Sequence, residues 1–331
     1  MSGLAAFQLR RPVSWRGACA MLADLTQSRA LAGGTDLLTN LRHGLTQPAY
    51  LVDLALIRGA AEIVRDDAGW RLGAGVSLEQ MLAHAALCQA HPALQQAALG
   101  VAAPAHRSAA TLGGNLCQDT RCVHYNQSAW WRQANDHCLK LGGTVCHVAP
   151  QGARCHAAYS GDLAPALIAL DAHVCVVTVQ AARVIALADL YIDDGAHSLN
   201  LAAGELISEV RIPVQPAGAR SAYRKARVRG AIDFPLAGVA VSLARRAGGL
   251  SHLRLALTGV ATQPLTLELD ASWIGAGIDD AWLDLLATQV RRQVTPIRTT
   301  AVAAHYRREV AATLTRRLVR ELWDAGDGAD A

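Results

Sequence analysis

The cysteines are the residues of this 331-residue chain best able to carry chemistry, and they are unevenly placed. Five of the eight, Cys117, Cys122, Cys138, Cys146 and Cys155, fall between residues 117 and 159. The same stretch holds His124, His137, His147 and His156 and the pair Trp130-Trp131. Thiolate is the soft ligand that both zinc and iron–sulfur clusters take. Structural zinc usually draws two ligands from one CxxC turn, and the sequence contains no CxxC. Fifteen, seven and eight residues separate Cys122, Cys138, Cys146 and Cys155. Single cysteines on four separate turns suit a bulky cubane better than one ion, although the spacing alone leaves zinc open. Gly142 and Gly143 would let the backbone bend around such a group. With four thiols at hand, the histidines read as surface or sulfur-bonding groups, and the two tryptophans as anchors of the segment. Cys117 adjoins a glycine loop and reads as packing beside it. Cys19, Cys88 and Cys175 lie in apolar patterns and read as small core residues.

Two glycine loops form the second constellation. Ala32-Gly33-Gly34-Thr35-Asp36-Leu37 stands between a strand pattern and a helix pattern, and Thr111-Leu112-Gly113-Gly114-Asn115 follows a small-residue stretch. Paired glycines let a backbone approach a ligand closely, and successive N–H groups at a helix start favour phosphate. Neither loop is the GxGxxG fingerprint, and a glycine pair alone is more often just a turn. Two together suit a dinucleotide pyrophosphate held from both sides. No nucleophile–base pair or metal triad is recognisable, so no residue is assigned as acid, base or nucleophile.

The elements that must position these residues alternate between strand and helix periods, a mixed α/β pattern. Helices are predicted over 18–25, 37–43 and 78–90, with Asp36 and Ser77 as N-caps. Strands are predicted up to residue 32 and over 50–54, 70–74, 174–179, 236–244 and 253–260. A last amphipathic helix over 301–323 places Val302, Tyr306, Val310, Leu314, Leu318 and Leu322 on one face. The flanks of 117–159 would join into one continuous pattern, so that segment reads as an insertion. Residues 213–220, rich in Pro and Gly, read as a linker. The parts are then 1–56, 57–216 (with the insertion at 117–159) and 217–331.

Composition narrows the function. Hydrophobic residues make up 52% and charged ones 18% of the chain, which excludes disorder. Net charge is +4, and the basic residues Arg224, Lys225, Arg227, Arg229, Arg245, Arg246, Arg316, Arg317 and Arg320 crowd the last third. Few aromatics interleave them, which argues against nucleic acid. They read as solvated helix faces with an anion or subunit contact. No apolar run suits a signal peptide or a membrane span, so the expected location is cytoplasmic, where thiols stay reduced.

The runs AGGTDLL (32–38), TLGGN (111–115), GDLAPALIAL (161–170), GELISEVRIP (204–213) and YRKARVRGAIDFPLAGVAV (223–241) resemble the FAD subunits of the xanthine dehydrogenase and carbon monoxide dehydrogenase family. The resemblance covers essentially the whole chain. It implies an α+β fold: a two-lobed FAD-binding domain of the PCMH, vanillyl-alcohol-oxidase-like kind, then a C-terminal α/β domain of the CO dehydrogenase flavoprotein type over the flavin ring. Carried over, Ala32, Gly33, Gly34, Thr35, Asp36 and Leu37 would line the pyrophosphate, with Thr111, Gly113, Gly114 and Asn115 closing on it. Asp162 would serve the ribityl or adenosine side, Leu206 the ring, Lys225 the flavin as a cation, and Val101 the FAD generally. The bland readings are a helix N-cap for Asp162 and a solvated basic run for Lys225.

The run CVHYNQSAWWRQANDHCLKLGGTVCHVAPQGARCHAA (122–158) is similar to an insertion distinctive of the 4-hydroxybenzoyl-CoA reductase medium subunit. The resemblance implies a [4Fe-4S] cluster on Cys122, Cys138, Cys146 and Cys155. It also implies a hetero-oligomer, a dimer of heterotrimers, with a molybdenum-cofactor large subunit, a [2Fe-2S] small subunit and a ferredoxin-like donor. The function implied is electron transfer for reductive dehydroxylation of 4-hydroxybenzoyl-CoA. The alternatives are an FAD subunit serving oxidation of another aromatic, heterocyclic or acyl-CoA substrate, and a zinc-stabilised interaction module.

Overall fold

The computed structural model describes residues 4–298 and 302–325. The chain opens with a parallel sheet of β1 (Gln8–Arg10), β2 (Ser28–Leu31) and β3 (Tyr50–Asp53), in the order β1-β3-β2. Parallel neighbours need crossovers, here the helices Trp15–Asp24 and Leu37–Arg42. Ser14 starts the first by accepting from the Gly17 amide at 3.2 Å. The first glycine loop follows the C-terminal end of β2, the edge where open parallel sheets bind ligands.

The second lobe is an antiparallel sheet of β4 (Ile63–Asp66), β5 (Gly69–Gly73), β6 (His173–Val177), β7 (Ala182–Ala186) and β8 (Leu206–Pro213), ordered β4-β5-β8-β6-β7. The helix predicted over 78–90 is two, Leu78–Ala83 and Ala85–Ala90. Ser77 and Gln80 form the reciprocal cap of the first. His84 leaves the helical conformation, and its Nδ1 accepts from the Leu87 amide at 3.3 Å to start the second.

The third part is an antiparallel sheet of β9 (Arg220–Ala226), β10 (Ala237–Arg246), β11 (Gly249–Thr258) and β12 (Leu265–Thr266), ordered β12-β11-β10-β9. Alternation divides its two faces. Ala222, Val239, Val241, Leu255 and Leu257 pack with the helices Asp280–Gln293 and Ala304–Asp324, whereas Tyr223, Ala240 and Ala256 join the core of the second lobe. β9 lies where the sequence reads as a basic run on helix faces. Arg224 and Lys225 are strand residues: the consecutive Ala222 and Tyr223 are buried on opposite faces of β9. Arg316 and Arg320 are on a helix, and they pair with Asp280, with Arg316 also reaching Asp284, on the neighbouring helix.

The last helix packs Leu318, with Val310, Leu314 and Leu322 half-buried, from its expected face, but the buried stripe is centred to one side of it. Ala311, Ala312, Thr315, Leu318, Val319 and Trp323 are buried, while Tyr306 is exposed and Val302 precedes the helix. The expected start at residue 301 lies outside the described residues. Among the described residues no helix is long and apolar enough to cross a membrane.

Arg307 locks this helix to the sheet. It is 2% exposed and donates to the carbonyls of Leu236 and Ile297, each at 2.9 Å, and of Gly259. Burial lowers its pKa to about 10. Arg307→Met would leave three buried carbonyls without that donor, and an unsatisfied buried group costs 1–3 kcal/mol. The expected loss is about 3 kcal/mol, measured by urea unfolding followed through tryptophan fluorescence.

Candidate cofactor sites

The two glycine loops meet face to face. A Cβ on Gly33 would collide with the Ala109 carbonyl, and one on Gly114 would lie 3.7 Å from the Ala32 Cβ. Gly34 holds φ +71°, a left-handed conformation that L side chains rarely adopt. Among the described residues the amides of Gly33, Gly34, Thr35 and Asp36 donate to no protein acceptor. Successive free amides of this kind are a nest for anionic oxygens. In the second loop the Thr111 hydroxyl accepts from the Gly114 amide at 3.1 Å. Gly113 packs on Ala74, and buried Asn115 accepts from the Leu163 amide at 3.3 Å.

Asp36 departs from expectation. It stands at the start of the Leu37–Arg42 helix but makes no side-chain cap bond. Its carboxylate instead accepts from the Arg121 guanidinium, from the Asp119 amide at 3.0 Å and from Asn40 Nδ2 at 3.4 Å. A bare carboxylate would repel a pyrophosphate; Arg121 neutralises it and leaves the backbone amides to face outward.

Asp162 and Lys225 are together, and both bland readings fail. Asp162 makes no side-chain cap bond; it is 5% exposed and accepts from Tyr223 Oη at 2.6 Å and Lys225 Nζ at 3.0 Å. Burial pushes its carboxyl up, opposed chiefly by the Lys225 ammonium. Lys225 is buried, not solvated, and also donates to the Asp233 carbonyl at 3.1 Å. A Cβ on Gly100 would lie 3.7 Å from Lys225 Cε and 3.8 Å from Asp162 Oδ1, so Val101 follows directly beside the pair. Leu37 is half-buried at its helix start and Thr35 exposed. Leu206 is placed elsewhere, buried with Ala18, Cys19, Val52, Ile57 and Ala60 in a small core under the first lobe. There it is a packing residue.

The cysteine segment closes on itself. Arg121 and Ala158 exchange backbone bonds at 2.7 and 2.8 Å, so the excursion leaves and returns at one point. Cys122, Cys138, Cys146 and Cys155, all free thiols, line one cavity with Tyr125 and Lys140. Gly142, at φ +85°, and Gly143 make the turn between Cys138 and Cys146, closed by the Leu139 amide on the Val145 carbonyl at 2.9 Å. Burial pushes the Cys155 thiol up to about 11, against the Ala157 amide and the Lys140 ammonium. His124 and His147 also line the cavity, their rings 5.4 Å apart, and His147 Nε2 is buried with no protein partner. Cys117 is not at the cavity; it packs against the main core, and burial raises its pKa to about 12. Among the described residues no group of three or more His, Cys, Asp or Glu is gathered closely enough to hold a single metal ion.

The tryptophans do not do the anchoring expected of both. Trp130 is 76% exposed, and Trp131 lies beside the His124 ring at 6.2 Å. Arg132, 4% exposed, ties the segment to the first lobe through the carbonyls of His43 at 2.9 Å and Gly44 at 3.1 Å. Arg121 does the same through Asp36, and its guanidinium lies 4.8 Å over the Phe234 ring. Sequence reasoning missed Arg121, Arg132, Asp119 and Lys140. The available signal was charge set among the cysteines, with Arg121 adjoining Cys122 and Lys140 following Cys138 by two.

The close approach of the loops is testable. Gly33→Ala is expected to cut retained FAD by roughly tenfold. Gly277→Ala, where a Cβ meets nothing within 4 Å, should leave it unchanged. Flavin absorbance per chain after gel filtration measures both.

Residues 5–215 match the FAD binding domain in molybdopterin dehydrogenase, and residues 221–322 the CO dehydrogenase flavoprotein C-terminal domain. The chain is 32% identical over 270 residues to the aldehyde oxidoreductase FAD-binding subunit PaoB of Escherichia coli, covering 79% of this chain and 83% of that one. It is 27% identical to the carbon monoxide dehydrogenase medium chain of Afipia carboxidovorans over 95% of each. Among solved structures, Cu,Mo-CO dehydrogenase superposes with a TM-score of 0.81 at 26% identity, over 98% of this chain and 100% of that one. Two adjoining family matches, a free-amide nest and the shared fold therefore place this chain among the FAD-binding medium subunits of the xanthine dehydrogenase and carbon monoxide dehydrogenase family, oxidoreductase subunits of the molybdenum hydroxylases.

Proposed function

We propose that this chain is the flavin and [4Fe-4S] subunit of a 4-hydroxybenzoyl-CoA reductase-type enzyme, working with a molybdenum large subunit and a [2Fe-2S] small subunit. The observation that carries the reading is the single cavity lined by Cys122, Cys138, Cys146 and Cys155 from four separate turns. Zinc and iron–sulfur clusters both take thiolate, and these four cysteines come singly from separate turns with no CxxC pair. A cubane leaves its ligands standing farther apart around a volume. The free thiols, the cavity and the orphaned His147 nitrogen fit that group.

When bound, FAD exchanges one or two electrons and the cluster one at a time, which suits a link between a low-potential, ferredoxin-like donor and the partner subunits. The chain's own residues hold and separate the two groups. Gly33 to Asp36 offer amides to the pyrophosphate, and Gly113, Gly114 and Asn115 close the opposite side. Asp162 and Lys225 fix the strand of the 217–331 part against the 57–216 lobe, near Val101. Arg121 and Arg132 hold the cysteine segment to the flavin lobe.

A second reading rests on the similarity to PaoB, a subunit of an aldehyde oxidoreductase. In it the partner oxidises its substrate and electrons leave through this chain. The two readings are separated by assay of the co-purified, oxygen-free complex. Reduction of 4-hydroxybenzoyl-CoA with a low-potential donor supports the first, substrate oxidation alone supports the second, and this chain by itself should turn over neither. Iron and sulfide should each be about four per chain. Cys138→Ser or Cys146→Ser should abolish them and spare FAD, while Cys117→Ser keeps both. Stoichiometric zinc without sulfide in a native preparation would overturn the cluster.

A further inference from the structure

Lys140 is a buried cation beside the four cysteines. Its side chain is 6% exposed, yet it lines the cavity of the four cysteines. Nζ donates to Asp119 Oδ1 at 2.5 Å and to Thr120 Oγ1 at 2.6 Å, and lies 4.2 Å from the centre of the Tyr125 ring. Each partner is itself held. Thr120, fully buried, donates its hydroxyl to the Gly195 carbonyl at 2.6 Å, and Asp119 accepts from Tyr125 Oη at 2.8 Å. Taking an ammonium out of water costs several kcal/mol, and an apolar side chain of the same volume is commonly as stable. Here the three contacts fix the charge in place. Lys140 borders the cavity and its charge acts on the Cys155 thiol, whereas Asp119 is not among the lining residues.

Four thiolates on one site concentrate negative charge, and net charge and burial are among the levers that set such a group's potential. We infer that Lys140, steadied by Asp119 and Thr120, is the fixed counter-charge of the four-cysteine site and eases the gain of one electron there. The step adds one electron from a low-potential donor and no proton. Lys140 is a positioning residue, and its role rests on the cluster reading above.

The test uses the oxygen-free complex, or the full chain with its flavin, in wild-type, Lys140→Met, Lys140→Arg and Asp119→Asn forms. Iron and sulfide content come first, then a dye-mediated redox titration followed by electron paramagnetic resonance. Lys140→Met should retain iron yet be about tenfold harder to reduce, a downward shift of 59 mV for one electron. Lys140→Arg should stay near wild type. Asp119→Asn removes the opposing charge and should shift the potential upward, which keeps the inference exposed if the Met variant fails to load. An iron-replete Met variant with the wild-type potential, an Arg variant shifted as far as Met, or an Asn variant unshifted or lowered would each overturn it. A wild-type chain without iron and sulfide sinks the cluster reading first and this inference with it, whereas an iron-replete wild type with unresponsive variants sinks this inference alone.

Discussion

The buried pair of Asp162 and Lys225 is the contact on which the docking of the C-terminal sheet against the second lobe turns. Asp162 begins the Leu163–Ala169 helix, whose first amide is held by Asn115 of the second glycine loop. Lys225 and Tyr223 come from β9, the edge strand of the C-terminal sheet. One carboxylate thus joins a cofactor loop of the second lobe to the part that covers it. Two charges buried together gain little net stability, but removing either partner typically costs 3–5 kcal/mol. The pair therefore acts as a registration device more than a source of strength: β9 must lie where its lysine meets that carboxylate. The backbone exchange of Tyr159 with Gly259 and Ala261 reinforces the same seam.

The cysteine segment solves a different problem. Its apolar nucleus is no more than Tyr125 and Cys138 against Leu45 of the first lobe, with Cys122 and Leu141 beside them. So small a core does not fold a segment of this length unaided, and fixed cations take over. Arg132 reaches two carbonyls of the first lobe, Arg121 reaches Asp36, and Lys140 gathers Asp119 and Thr120. Ligation of the four cysteines would add binding energy to folding in the same way. Asp36 shows how closely the segment and the flavin loop are tied, since the residue flanking the free amides is also the acceptor for Arg121.

Glycine and cysteine were legible because their chemistry is specific to residue type. A positive φ at Gly34 and Gly142 leaves few other choices, and a soft-ligand set without CxxC already points away from a simple knuckle. Four strands of the second and third sheets, β5, β6, β10 and β11, were legible from their short apolar runs. What stayed hidden was partnership across long sequence separations. Nothing local pairs Asp36 with Arg121 or Lys225 with Asp162, so Asp36 read as a helix cap beside the pyrophosphate and Lys225 as a cation for the flavin, with neither given its protein partner. β9 was masked by its own exposed Arg224, and Leu206 was given to the flavin although it fills a core. The break at His84 rests on a ring nitrogen taking an amide, which helical periodicity does not reveal.

The bridge between Arg121 and Ala158 has a consequence for inheritance. Two residues that exchange backbone bonds have Cα atoms about 5.5 Å apart. Everything between them departs from and rejoins the flavin lobe across a gap that a residue or two would span. A lineage of flavin subunits could acquire or shed such a stretch in a single genetic event, with the host's sheets and glycine turns left as they were. The cysteine segment is in this sense separable at its base, and Asp36, Arg121 and Arg132 are the stitches that hold it.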